Sequence, residues 1–247
     1  MDRVLDIRRE DVIPEELDHH RHQDPHKSSF GLSDVILGGQ DGLVNVLGVI
    51  LGVAAASAET RIVLAAGLAA TFAESVSMAA VAFTSKRAQQ SFYESEQQRE
   101  YRHIRRAPTV EREEIRRIYA DKGFEDPLLD HIVNTITADP DTWVAVMMAE
   151  EHQLSPMAAD HPVRSAWIVG LAAIVGSLIP LAPFAVLPVG IGMLVSIAVA
   201  ALTLFVVGVY KARVTVGHPG RSGLEMAIIG TVSAMVGYAV GLLFRAP

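Results

Sequence analysis

The run LSDVILGGQDGLVNVLGVILGVAAAS, residues 32–57, decides the fold. It stays apolar for longer than the roughly 20 residues that cross a bilayer, and only Asp34 and Asp41 interrupt it with charge. A span of this kind is expected to insert. Asp41 is then the informative residue, because a carboxylate at depth costs about 2.5–3.5 kcal/mol and such acids face a bundle interior or an aqueous path. Asn45 lies one helical turn later on the same face and offers a neighbouring oxygen. The alternative is that Asp41 caps a helix that starts after Gly38-Gly39. Gly38, Gly42, Gly48 and Gly52 include two small-xxx-small pairs, which permit close helix packing and self-association.

Outward from this run, the charge distribution fixes the layout. The chain has 247 residues, 50% hydrophobic and 20% charged, with a mean hydropathy of +0.30. Residues 32–84 and 163–244 are apolar, whereas charges collect in the N-terminal tail and the middle, as in a polytopic membrane protein with one soluble insert. The net charge of −7, with basic residues interleaved among acids, excludes the basic stripe that nucleic-acid binding needs. No cysteine is present, so a metal must be held by oxygen, nitrogen or thioether sulfur. Four segments follow: a polar cytosolic tail over 1–30, transmembrane helices 1 and 2 over 31–85, a cytosolic helical insert over 86–160, and transmembrane helices 3 to 5 over 161–247. The tail lacks the apolar core of a signal peptide. Its His19, His20, His22 and His26 are either metal ligands or merely solvated.

The second span runs from Ile62 to about Thr84, with Glu74 and Met78 on one helical face. Met78 is equally an ordinary core filler, but Glu74 in mid-span is hard to explain as packing. No Pro or Gly then appears until Pro108, so this helix is expected to leave the membrane and continue to about Arg106. Glu96, Glu100 and His103 form one stripe of that extension. A short helix follows through Tyr119, carrying Glu111 and Glu114, and a third from about Pro127 to Gln153, broken near Pro140. The third ends in Met147, Met148, Glu150 and Glu151. Carboxylates, an imidazole and two thioethers in one segment suit a divalent transition metal. The competing reading is a set of solvated Glu-Arg faces, with Arg99, Arg102, Arg105, Arg112 and Arg116 pairing the acids. Three further spans are expected at Val163–Leu181, Pro183–Tyr210 and Leu224–Phe244, with an uncharged link over Pro180–Pro188. The link between the fourth and fifth spans carries Lys211, Arg213, His218 and Arg221, which places it, the tail and the insert on the cytosolic side and the C-terminus outside.

The segments Asp41-Gly42-Leu43, Ser77-Met78-Ala79, Glu111 through Gly123, and Trp143 through Glu151 together resemble the vacuolar iron transporter family, in the branch with a cytosolic metal-binding insert. The resemblance runs from about Ser33 to the C-terminus. It implies an all-α polytopic membrane protein with five transmembrane helices and a cytosolic three-helix insert. It also implies a homodimer with its pathway between subunits, proton-coupled export of Fe²⁺ and similar ions, and residence in a vacuolar or bacterial cytoplasmic membrane. Asp41 and Met78 are implicated in the membrane path, and Glu100, Glu111, Glu114, Met147, Met148 and Glu151 in the insert. Two departures from the pattern stand out: His103 stands where relatives commonly have Glu, and Val81-Ala82 where many have Gly-Glu. Glu74 lies about two turns away from Ala82 along the helix.

The expectation is therefore a dimeric metal/proton antiporter in the lipid bilayer, without a permanently bound cofactor and without nucleic acid. Fe²⁺, with Mn²⁺, Co²⁺ or Zn²⁺, would be collected by Glu96, Glu100, His103, Glu111, Glu114, Met147, Met148 and Glu151, and passed by Asp41, Asn45, Glu74 and Met78. Two alternatives are a di-iron carboxylate, ferroxidase-like membrane enzyme, since Glu100-x-x-His103 is half of that pattern, and a non-transporting membrane scaffold.

Overall fold

The computed structural model describes residues 31–155, 161–215 and 217–244. The tail histidines lie outside the described residues. The chain divides into a unit Met1–Ser33 and a unit Asp34–Pro247, and the fold below is that of the second. Its described elements are all helical: α1 (Leu32–Ser57), α2 (Thr60–Arg106), α3 (Pro108–Asp121), α4 (Leu128–Thr137), α5 (Pro140–Glu150), α6 (Pro162–Val186), α7 (Val189–Val214) and α8 (Pro219–Leu243). Five of them, α1, α2, α6, α7 and α8, are long and apolar enough to cross a membrane.

Three local readings meet the structure. Asp41 sits inside α1, which is continuous through Gly38-Gly39, so it is not a cap. Backbone hydrogen bonding inside a bilayer leaves no cheap way to interrupt a span there. The region from Pro180 to Pro188 is not a link: α6 continues through Pro180 and Pro183 to Val186, and only Leu187-Pro188 separates it from α7. Leu181 and Phe184 are buried in the core, and the Ser196 hydroxyl of α7 donates to the Pro180 carbonyl at 2.6 Å. This packing ties α6 to α7 along the proline-containing turn. The expected break near Pro140 is present: α4 and α5 are separate helices, because Pro140 drives Asp139 into an extended conformation. Asp139 then caps α5, accepting from the Thr142 amide at 2.9 Å.

The glycines of α1 are consumed within the chain. A Cβ on Gly38 would stand 2.2 Å from the Val169 carbonyl oxygen of α6, and one on Gly42 2.4 Å from that of Ala173. On the other half of the helix a Cβ on Gly52 would stand 2.8 Å from the Gly237 oxygen of α8, and one on Gly241 2.0 Å from the Gly52 oxygen. α1 is thus held backbone to backbone between α6 and α8, which is how small residues let membrane helices pack without a hydrophobic driving force. Leu43, Leu47, Ile50 and Leu51 fill the core beside these contacts. Phe72, Val76, Trp167, Val186 and Leu194 are left exposed, an apolar exterior suited to lipid.

α2 is 47 residues long, about 70 Å at 1.5 Å per residue. Roughly 30 Å of that fits a hydrocarbon core, so its C-terminal half extends beyond the apolar bundle. α3 folds back after Ala107, whose amide donates to the His103 carbonyl at 2.8 Å. α3, α4 and α5 close on the extension around Ile104, Ile115, Val133, Val144, Met147 and Met148. Arg112 of α3 ties this group together by donating to Thr137 at 2.7 Å and to Asn134, both on α4.

Candidate metal sites

Two groups of chemistry-bearing side chains stand on the same long helix. In the apolar bundle, α1 presents Asp41 and Asn45 one turn apart, and α2 presents Glu74 opposite them. The Asn45 amide nitrogen donates to Asp41 Oδ2 and to Glu74 Oε1, each at 3.1 Å. Two carboxylates from two apolar helices are therefore joined through one amide. Asn45 is exposed and both acids are half-buried, so the group lies on a face of the bundle rather than in its core. Met78 is also half-buried, one turn after Glu74 on α2. Ala82 is buried.

The second group is on the extension of α2 and the helices folded against it. Glu100 is its centre: the residue is 2% exposed, yet its Oε2 has no hydrogen-bond partner among the described residues. Glu100 Oε1 lies 3.1 Å from His152 Nε2 and 3.6 Å from His103 Nδ1. His103 Nδ1 is in turn 3.6 Å from Glu111 Oε1, and Glu111 Oε2 is a second buried, unpartnered oxygen. Ligand atoms of Glu100, His103 and Glu111 fall within 4.8 Å of one another, as do those of Glu100, Glu151 and His152. An isolated buried carboxylate oxygen is costly, and these two groups have the donors that could hold a cation.

Electrostatics agree. Burial, followed by repulsion from Glu114 and Glu100, pushes the Glu111 carboxyl up to about 7 against the opposing pull of His103. Desolvation, then repulsion from Glu114 and Glu100, raises Glu151, while His152 and Arg117 draw it down. Glu114 thus bears on both groups. Acids that crowd until they resist ionisation are a common mark of a functional site.

The expected ligands do not all converge. Glu96 is buried but is paired, its Oε2 accepting from Arg99 at 2.9 Å, which is the Glu-Arg outcome for this one residue. Outside the cluster Lys122 pairs with Glu150 at 2.6 Å and Arg116 with Asp126 at 3.1 Å, as surface helices do. Met147 and Met148 are fully buried in the core of the insert, one turn before Glu151. His152 was not singled out as a ligand by sequence. It follows the last turn of α5, past the reach of helical periodicity, and only its adjacency to Glu151 signals it.

A model of the VIT family matches residues 32–242 of the chain. The protein named vacuolar iron transporter 1 of Tulipa gesneriana is 32% identical over 221 residues, 89% of this chain and 90% of that one. Its Arabidopsis thaliana namesake is 29% identical over 238 residues, 95% of each chain. The vacuolar iron transporter of Plasmodium falciparum is 26% identical over 253 residues, 96% of this chain and 93% of that protein.

Proposed function

Because the chain belongs to the VIT family and is an integral membrane transporter rather than an enzyme, we propose that it exports Fe²⁺ from the cytosol in exchange for protons. Mn²⁺, Co²⁺ and Zn²⁺ are further candidate cargo. The observation that carries this is the joining of Asp41 and Glu74 through Asn45 between two apolar spans. Acids are expensive in a membrane unless they serve an ion path. Two neighbouring carboxylates can be neutralised by one divalent cation or by protons, and that exchange is the elementary step of an antiporter. Met78 adds a soft donor one turn away, suited to a transition metal over Mg²⁺ or Ca²⁺.

The insert would load the carrier. Glu100, His103, Glu111, Glu114 and Glu151 hold the ion from the cytosolic side, with Met147 and Met148 as thioether donors, while Glu96 is set aside because Arg99 already occupies it. The tail, the insert and the basic link near Lys211 face the cytosol under the positive-inside rule, in a vacuolar or bacterial cytoplasmic membrane. A homodimer fits the partial exposure of Asp41, Asn45 and Glu74, since a second subunit on that face would take these polar groups away from lipid. The test is metal-driven proton flux in proteoliposomes under an imposed pH gradient. Flux is expected with Fe²⁺ and lost in Asp41→Ala; undiminished flux in that variant removes Asp41 from the path. Absence of any metal-dependent flux would leave the scaffold alternative standing.

A further inference from the structure

We propose that His152 is a metal ligand of the insert, acting with Glu100 and Glu151, and that with His103 it biases the insert toward ions that accept imidazole, Co²⁺ and Zn²⁺ ahead of Mn²⁺. This rests on the insert being a metal-capture site.

His152 is held in place by backbone structure. Its amide and that of Glu151 both donate to the Met147 carbonyl, at 3.3 and 3.0 Å. Gln153 then takes the left-handed conformation at φ 54°, which turns the chain so that the Leu154 amide donates to the Met148 carbonyl at 2.8 Å. Leu154 packs on the core of the insert and anchors the turn. The imidazole is thereby brought from outside α5 onto Glu100, with Nε2 at 3.1 Å from Oε1.

Nitrogen and oxygen ligands at about 2.1 Å in a tetrahedral site stand roughly 3.4 Å apart; Glu100 Oε1 and His152 Nε2 are 3.1 Å apart, and Glu151 offers an oxygen within 4.8 Å of both. A hydrogen bond from His152 would satisfy only Oε1. It leaves Glu100 Oε2 buried and unpartnered, and it does not explain why Glu151 approaches the same point. An ion held by Glu100, Glu151 and His152 accounts for all three. Imidazole suits Zn²⁺ and other late first-row ions, whereas oxygen donors alone suit Mn²⁺, so a second histidine alters selectivity as well as affinity.

The test uses the full chain in detergent, on an Asp41→Ala background that removes the membrane acid, with Co²⁺ and Mn²⁺ as separate probes. His152→Gln keeps an amide able to hydrogen-bond Glu100 but offers no imidazole. Affinity for Co²⁺ is expected to fall by about tenfold or more, and by a larger factor than that for Mn²⁺. Cobalt-edge X-ray absorption, which counts imidazoles by their outer-shell scattering, is expected to lose one histidine in His152→Gln, one in His103→Gln and both in the double variant. An unchanged histidine count and Co²⁺ affinity in His152→Gln would reduce His152 to a hydrogen-bond partner and overturn the proposal while the capture site stands. A parent protein that binds neither ion would overturn both.

Discussion

Gly38 and Gly39 are adjacent in α1, yet alanine is expected to act oppositely at the two. A methyl on Gly38 would lie 2.2 Å from the Val169 carbonyl oxygen and 3.1 Å from its Cα. Carbon and oxygen meet comfortably at about 3.3 Å, so α1 and α6 must part by about 1 Å, and the obstacle is backbone that has no rotamer to change. Overpacking of this kind costs about 1–3 kcal/mol. Alanine returns up to about 1 kcal/mol through helix propensity, leaving a net loss of as much as about 2 kcal/mol. A methyl on Gly39 meets nothing nearer than the Ala172 oxygen at 3.7 Å, ordinary contact. Gly39→Ala therefore keeps the propensity gain and is expected to be neutral or more stable by up to about 1 kcal/mol. Denaturation of the two purified variants in the same detergent, followed by helical circular dichroism, gives the comparison. Equal midpoints, or a less stable Gly39→Ala, would refute the packing assigned to α1.

The insert has a predictable pH response. In the fold the Glu111 carboxyl keeps its proton to about 7 rather than the ordinary 4.5; the folded state binds more protons across that window, so this group's contribution to stability falls as pH rises through it. Metal must displace the same proton, so affinity in the full chain should climb from pH 5 to about 7 and then level, and calorimetry on Glu111→Gln should show a shallower climb with weaker binding. Met148→Leu separates packing from ligation: an isosteric swap costs less than about 1.5 kcal/mol of stability, so a fall in Fe²⁺ affinity with the fold retained assigns the thioether to the metal, and unchanged affinity assigns Met148 to the core alone. Glu74→Gln preserves an amide able to contact Asn45 but removes one of the two charges; metal-driven proton flux in proteoliposomes should fall at least as far as tenfold, about 1.4 kcal/mol in the transport barrier, and full flux would exclude Glu74.

The spans were readable because bilayer thickness sets a length that few other structures need, and the runs beginning at Leu32 and Ile62 exceed it with intramembrane acids in place. The run of residues without Pro or Gly between Thr84 and Ala107 likewise announced the long extension of α2. Pro180 and Pro183 misled for a physical reason: proline usually ends helices in water, but prolines are tolerated inside packed membrane helices, and here the burial of Leu181 and Phe184 fixes the segment in the bundle. Within the site, periodicity placed Glu100 and His103 on one stripe, because both are on a single helix. It did not distinguish Glu96, whose fate is decided by the rotamer of Arg99, and it was blind to His152, placed by a left-handed turn at Gln153 that no helical pattern encodes. Partners of α1 were equally hidden, since a glycine shows that something comes close without saying what; Val169 and Gly237 are known only from the fold.

α2 also constrains how the two metal groups can cooperate. Glu74 and Glu100 are carried by the same unbroken helix, about 26 residues and hence roughly 39 Å apart. No side chain bridges that distance, so an ion taken up at Glu100 cannot pass directly to Glu74. Under the proposed function the insert would therefore raise the supply of metal near the bundle and release it, rather than transfer it ligand to ligand. Release is slow from a site that holds metal with every donor it has, and easier from one whose acids already resist ionisation, because returning protons compete well with the cation. Glu111 and Glu151, both raised by desolvation and by repulsion from Glu114 and Glu100, give the insert that property. A capture site built from unperturbed, solvated acids would bind its ion without a proton to exchange for it; under the proposed exchange, the crowding of Glu100, Glu111, Glu114 and Glu151 would tie occupancy of the insert to the same proton activity that opposes export through Asp41 and Glu74.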